Sequence, residues 1–284
     1  MMDEREIEAL RIVLGGSGAG EGGYNPTEGG AGAGSQNTTG CGANFGAVQA
    51  ALDRFLRELF EGNSRFGLIA REDAADRHRL FVRHILDCLA PWREIAAVVR
   101  ESGRRRLYDL GSGAGLPGIP LACALGPLLE ETVLVERRTK RVNFLRGAVP
   151  LVTAAAGKNT ATGRTGSSGS AGPPPPPSIR ICEADADHLG AAEGDRLSSS
   201  IVVFRAFRQT TEDTLRSLSR VFPPETPVCA YKGRHDQTQE EADLIARSGL
   251  AVTTGPPRVV PVVVPGLDAE RSLLIWYTRK EADR

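Results

Sequence analysis

The sequence predicts an α/β fold: a seven-stranded, mostly parallel sheet with helices on both faces, behind an N-terminal helical region. Three observations predict it. From residue 106 onward, short β-branched and apolar runs alternate with helical stretches, a pattern that builds a parallel sheet covered on both sides. The first of those runs ends in a turn carrying Gly111, Gly113, Gly115 and Gly118, which opens a helix. The last run, 271–278, follows a short segment with no helix between, which makes it antiparallel to its neighbour.

Each element has its own warrant. Val48, Leu52, Phe55, Leu56, Leu59 and Phe60 recur at helical spacing. A second helix over about 73–89 puts Leu80, Phe81, His84, Ile85, Cys88 and Leu89 on one side. Strands are predicted at 106–110, 132–136, 179–182, 201–205, 227–231, 249–253 and 271–278. Helices are predicted at 119–125, 139–149, 210–220 and 237–247. Two stretches read as insertions: 15–43, with 12 glycines in 29 positions, and 153–178, of Gly, Ser, Thr and Ala ending in the prolines 173–177. Neither buries enough apolar surface to offset chain entropy, so both are expected to be mobile. The five prolines are expected to form a stiff rod of roughly 15 Å. The predicted organisation is a helical region 1–100 interrupted by 15–43, then a sheet domain 101–284 interrupted by 153–178.

Composition bounds the function. Of 284 residues, 40% are hydrophobic, enough for a sizeable core. No apolar run reaches membrane-span length, and the start Met1-Met2-Asp3-Glu4-Arg5-Glu6 is too charged for a signal peptide. Five scattered cysteines without a C-x-x-C pair argue against a disulfide framework and a zinc site, and fit a reducing cytoplasm with no metal. Basic and acidic residues balance at 35 each, which counts against a dedicated nucleic-acid binder. Three basic clusters count the other way: Arg104, Arg105 and Arg106; Arg137, Arg138, Lys140, Arg141 and Arg146; and Arg77, Arg79, Arg83 with His84. All three are expected to flank one pocket as a phosphate-binding rim, with Arg141 among the RNA candidates.

The glycine turn indicates a nucleotide-type cofactor at the carboxyl end of a parallel strand, approached by the N–H groups of the following helix. Gly113-x-Gly115-x-x-Gly118 formally matches a dinucleotide fingerprint. However, the carboxylate of Asp109 would repel a pyrophosphate, whereas it suits the amino and sulfonium groups of S-adenosylmethionine. Pro117 also removes an N–H where a phosphate would want one. Glu136 ends the next strand, placed to accept from both ribose hydroxyls of either adenosine cofactor. Asp109, Gly111, Gly113, Gly115 and Glu136 are thus cofactor candidates. S-adenosylmethionine is preferred; NAD, and a turn with no ligand, are the alternatives.

Six motifs together carry a resemblance. They are Arg83-His84-Ile85-Leu86-Asp87, the thirteen residues from Asp109 to Leu121, those from Glu136 to Arg146, Phe204-Arg205-Ala206-Phe207, Tyr231-Lys232-Gly233 and Glu270-Arg271-Ser272-Leu273. Over about Phe45 to Lys280 the chain resembles the bacterial 16S rRNA guanine-N7 methyltransferases, the RsmG (GidB) family. The resemblance implies a Rossmann-like SAM-dependent methyltransferase of the bacterial cytoplasm, a monomer, acting on guanine N7 in the 530 loop of the small ribosomal subunit. It implies cofactor-loop contacts at Gly111 and Leu116, an adenine contact at Ala186-Asp187, and Arg205 near the methyl-transfer face. It places His84, Lys140 and Lys232 where RNA is met. Three departures stand out: Phe204 replaces a serine, Asp185 an arginine, and Asn63-Ser64-Arg65-Phe66 an Asn-Leu-Thr-like stretch.

Guanine N7 already carries a lone pair in the ring plane, so transfer needs no general base, and no catalytic acid–base residue is assigned. Arg205 is the candidate for positioning guanine or the methionine carboxylate. Three rival functions share part of this pattern: a small-molecule methyltransferase, an NAD-dependent oxidoreductase and a non-enzymatic RNA-binding relic.

Overall fold

Seven strands form one sheet in the order β3-β2-β1-β4-β5-β7-β6. They are β1 (Arg106–Leu110), β2 (Glu131–Glu136), β3 (Ile179–Glu183), β4 (Ser200–Arg205), β5 (Pro227–Lys232), β6 (Arg258–Val262) and β7 (Arg271–Tyr277). The computed structural model describes residues 1–15, 39–160, 177–250 and 255–279. Strands β1 to β5 pair in parallel, while β7 runs antiparallel to both β5 and β6. The predicted late antiparallel strand is therefore present. Strand order reverses between β1 and β4, the switch point where open α/β sheets leave a crevice.

The helices are α1 (Glu4–Leu14), α2 (Phe45–Phe66), α3 (Arg71–Ala74), α4 (Arg77–Leu80), α5 (Asp87–Leu89), α6 (Trp92–Ser102), α7 (Gly118–Leu125), α8 (Thr139–Thr160), α9 (Leu189–Glu193), α10 (Glu212–Val221) and α11 (His235–Ser248). Alternation along the strands sends side chains to two cores. Leu107, Ile201, Val203, Leu273 and Ile275 face one core, which they share with Leu10, Phe55, Phe81, Ile95 and Leu121. Tyr108, Val133, Val202, Phe204 and Trp276 face the other, under Leu215, Leu218 and Ile245 of α10 and α11. The N-terminal helices thus cover one face of the sheet within its core. Helix α2 packs along α8, where Gly62 admits the Phe144 ring and Phe66 meets Phe144 edge-on at 5.7 Å. Asn63 ends α2 by accepting from the N–H groups of Leu68 and Ile69, which gives that departure a structural task.

Four expectations are corrected. The sixth strand lies at Arg258–Val262, not 249–253: Gly249 is the left-handed cap of α11, Leu250 is buried coil, and 251–254 fall outside the described residues. The helix over 73–89 is broken into α3, α4, a π-helix at Phe81–Leu86 and α5. Helix α8 does not stop at 149 but passes Pro150 and reaches Thr160, so the insertion begins later than 153; Val152 and Ala156 are core. At the other insertion Thr39, Cys41 and Ala43 are buried, while 16–38, like 161–176 with most of the proline tract, lie outside the described residues.

Candidate functional site

The glycine turn is held from below. Asp109, fully buried at the end of β1, accepts through Oδ2 from Ser112 Oγ at 2.7 Å and from the N–H of Gly118 at 2.9 Å. Among the described residues its Oδ1 has no hydrogen-bond partner. The first N–H of α7 is therefore taken by Asp109 rather than offered to a ligand, which corrects the expected open helix end. Burial pushes the Asp109 carboxyl up to about 6, against the pull of those two hydrogen bonds. Gly111, Gly113 and Gly115 all have positive φ, as the turn requires. A Cβ on Gly111 would strike the Phe207 ring, and one on Gly115 would strike Ile119. Gly111 is thus part of a surface, whereas Gly115 and Leu116 are buried in the packing of the loop.

Next to Gly111 lies a cavity of about 450 Å³, within the usual range for small-molecule sites. Glu136, Ala186 and Asp187 line it, with Arg141 and Arg208. Glu136 accepts from the N–H groups of Gly113 at 3.0 Å and Arg138 at 2.8 Å, so β2 is tied to the turn. Each carboxylate oxygen keeps a second lone pair beyond these bonds. Asp187 receives both amino groups of Arg208, at 2.9 and 2.8 Å, and the Arg208 hydrogen bonds hold its carboxyl below the usual range. The glycine surface, the buried acid at the end of β2 and the acid beyond β3 fit an adenosine cofactor. The cavity brings together Gly111, Glu136, Ala186 and Asp187; Asp109, Gly113, Gly115 and Leu116 shape the turn from behind it. Arg141, read as an RNA candidate, lies here and pairs with Glu136 at 3.7 Å.

Arg205 lies in a second cavity of about 740 Å³, which shares Ala206, Phe207 and Arg208 with the first. Its guanidinium donates to Asp87 Oδ2 at 2.9 Å, to the carbonyl of Arg83 at 3.2 Å and to His84 Nδ1 at 2.9 Å. Because Nδ1 accepts, His84 carries its proton on Nε2 and gives it to Asp73 Oδ2 at 3.1 Å. Burial and the neighbouring Arg205 charge push the His84 pKa down, so the ring is neutral and orients Arg205. Asp87 also binds Arg271 through Oδ1 at 2.8 Å. Lys232 bonds Thr210 at 2.8 Å and lies 2.6 Å from Glu241. Lys140 is exposed at the start of α8, on the rim outside both cavities. The Arg104–Arg106 cluster is not at the site: it sits at the amino end of β1, with Arg104 on the carbonyls of Ser198 and Pro224 and Arg106 facing Glu130. The sequence reading assigned no role to Asp73, Asp87, Phe207, Arg208, Glu241 or Arg271. Motif membership flagged Asp87, Phe207 and Arg271, but nothing local marks Asp73, Arg208 or Glu241.

The sheet order, the glycine turn after β1 and the acid ending β2 define an S-adenosylmethionine-dependent methyltransferase. The pattern of one family, described as rRNA small subunit methyltransferase G, matches residues 48–155. A protein of that name from Treponema pallidum (strain Nichols) is 31% identical over 235 residues, 82% of this chain and 86% of the relative. Namesakes from Treponema denticola and Cupriavidus necator are 27% identical over 248 residues and 28% over 218, covering 79% and 73% of this chain and 84% and 79% of their own. The chain belongs to the rRNA small subunit methyltransferase G family. Its cofactor is S-adenosylmethionine, and the NAD reading falls away. Among the described residues no helix is long and apolar enough to cross a membrane.

Proposed function

We propose that this protein transfers a methyl group from S-adenosylmethionine to N7 of a guanine in the 530 loop of 16S rRNA, as a metal-free monomer in the bacterial cytoplasm. One observation carries the reading: two cavities at the carboxyl edge of the sheet share the wall formed by Ala206, Phe207 and Arg208. A base in the larger cavity and a cofactor in the smaller are neighbours across that wall.

Glu136 would hold the ribose, Asp187 the adenine, and the Gly111 surface the rest of the cofactor. Bound there, S-adenosylmethionine supplies an electrophilic methyl on a sulfonium sulfur. Guanine N7 needs no deprotonation, and the residues around it are not built for any. His84 is neutral and engaged on both ring nitrogens, and burial pushes the Cys88 thiol up to about 12. The protein's task is to orient the base, keep N7 free and exclude water. Arg205, clamped on three sides, is the orienting cation. The base enters by extrusion from the RNA, with phosphates on Arg138 and Lys140.

The test is methyl transfer from labelled S-adenosylmethionine to small ribosomal subunits of a strain lacking this modification, with the nucleoside identified by mass spectrometry. 7-Methylguanosine at one position is expected. Cofactor binding without RNA methylation would return the protein to the small-molecule methyltransferases.

A further inference from the structure

The larger cavity contains an ion pair that neither the cofactor nor Arg205 requires. Lys232 closes β5, one strand beyond Arg205, since Arg205 lies opposite Tyr231 in the β4–β5 register. Glu241 comes from the second turn of α11, and its Oε2 lies 2.6 Å from Lys232 Nζ. Both side chains line the cavity, Lys232 11% and Glu241 29% exposed. The ammonium has three N–H donors; Thr210 takes one, and Glu241 Oε2, buried and among the described residues without a hydrogen-bond partner, meets the ammonium as an ion pair only, so at least one donor is left. Among the described residues no hydrogen bond reaches Glu241 Oε1. The pair therefore presents a donor beside an acceptor to whatever fills the cavity.

That pair matches one edge of one base. Guanine offers an acceptor, O6, followed by two donors, N1–H and N2–H. Adenine offers a donor, N6–H, followed by an acceptor, N1, so it meets the pair with both hydrogen bonds reversed. We infer that Lys232 and Glu241 read the Watson–Crick edge of the target guanine, Lys232 donating to O6 and Glu241 accepting from N1–H and N2–H. The inference rests on the proposed guanine substrate and deepens it. The chemistry also gives the arrangement a purpose. A donor on N7 is a common way to recognise guanine, but it would block the lone pair that must attack the methyl group. Selectivity has to come from the far edge of the ring. Strand spacing of about 4.8 Å sets Lys232 about one strand farther than Arg205 from the glycine turn. A site built to pair with a substrate N–H rejects a base that lacks it, because its own polar group is then left unpaired.

Inosine, which is guanosine without the 2-amino group, is the discriminating probe. Small subunits are reconstituted with 16S rRNA carrying either guanosine or inosine at the target position. Transfer is then measured for the wild type, Glu241→Gln and Glu241→Ala, alongside calorimetric binding of GMP and IMP to each protein saturated with S-adenosylhomocysteine. The wild type is expected to prefer guanosine by roughly ten- to a hundredfold in kcat/KM, the range of a hydrogen bond to a charged group. In both variants that preference falls to within about threefold, and the GMP-to-IMP affinity ratio collapses with it. Affinity for S-adenosylhomocysteine stays within twofold. Equal losses on guanosine and inosine would overturn the inference, since a purely structural ion pair lowers both alike. A wild type that does not separate the two bases would overturn it as well. No transfer to guanosine by the wild type would instead remove the guanine substrate, and this inference with it.

Discussion

Asp109 is where a single residue has the clearest measurable consequence. A carboxyl raised from its ordinary value near 3.8 to about 6 binds its proton more tightly in the folded chain than in the unfolded one. Ionising it therefore costs stability. The cost grows as pH rises from about 4 to about 6 and then levels at about 3 kcal/mol, two pKa units at 1.36 kcal/mol each. Asp109→Asn keeps an oxygen for Ser112 and Gly118 and removes the charge. Chemical denaturation between pH 4 and 7 should show the wild type losing stability relative to this variant across that window. In the proposed binding mode the same charge attracts a cationic cofactor, so S-adenosylmethionine affinity should fall as pH drops through 6 in the wild type, and the variant should lack that dependence. Titration calorimetry at pH 5 and 8 checks this.

At the scale of elements, Asp87 joins the N-terminal helices to the sheet. It stands at the start of α5, directly after the π-helix, and neutralises Arg205 from β4 and Arg271 from β7. The wider turn of the π-helix also leaves the Arg83 carbonyl for Arg205. Asp87→Ala strands a buried guanidinium and should cost about 3 kcal/mol in urea denaturation. Replacing Arg205 by Met in the same chain should recover part of that loss, since the more buried of the two guanidinium groups left without Asp87 is then gone, while Arg271 is partly open to solvent. Strand β6 teaches the opposite lesson about local signals. Pro256, Pro257 and Pro261 hid it from a reading that favoured the apolar run after Gly249. Pro261 is tolerated because β6 is an edge strand, whose outer side needs no ladder hydrogen bond.

At the scale of the whole molecule, charge is sorted by the two ends of the sheet. Arg104 to Arg106 lie at the amino end of β1, so neutralising Arg105 should leave binding to ribosomal subunits within twofold. Arg138 and Lys140 are exposed at and beside the smaller cavity. Replacing both by Ala should weaken binding several-fold and flatten its dependence on salt by roughly one to two counterions, read from the slope of log affinity against log salt. The insertions divide in the same way. Excising 161–176 with a short Gly-Ser bridge should keep activity within a few-fold, because Gly, Ser and Thr bring no apolar surface to the core. Excising 153–178 removes Ala156 from the core and shortens α8, so it should lower the melting temperature by several degrees.

The sheet, its late antiparallel strand, the glycine turn and the acid ending β2 were all legible in the sequence. Each is written locally, in strand composition, in the φ > 0 that only glycine takes readily, and in the length of a connection. Gly111, Glu136, Ala186 and Asp187 reach one cavity because the switch point of a parallel sheet places those loop positions together. Only the tertiary structure decided what the ionisable groups do. Asp73, Asp87, Arg205 and Arg271 are brought together from four separate elements, as are Lys232 and Glu241 from a strand and a helix. Their roles come from burial and from partners far apart in the chain, and neither quantity is carried by a residue's sequence neighbours. Helical spacing could place His84 on a half-apolar face, but its neutral state and its hold on Arg205 follow from a guanidinium 121 residues away.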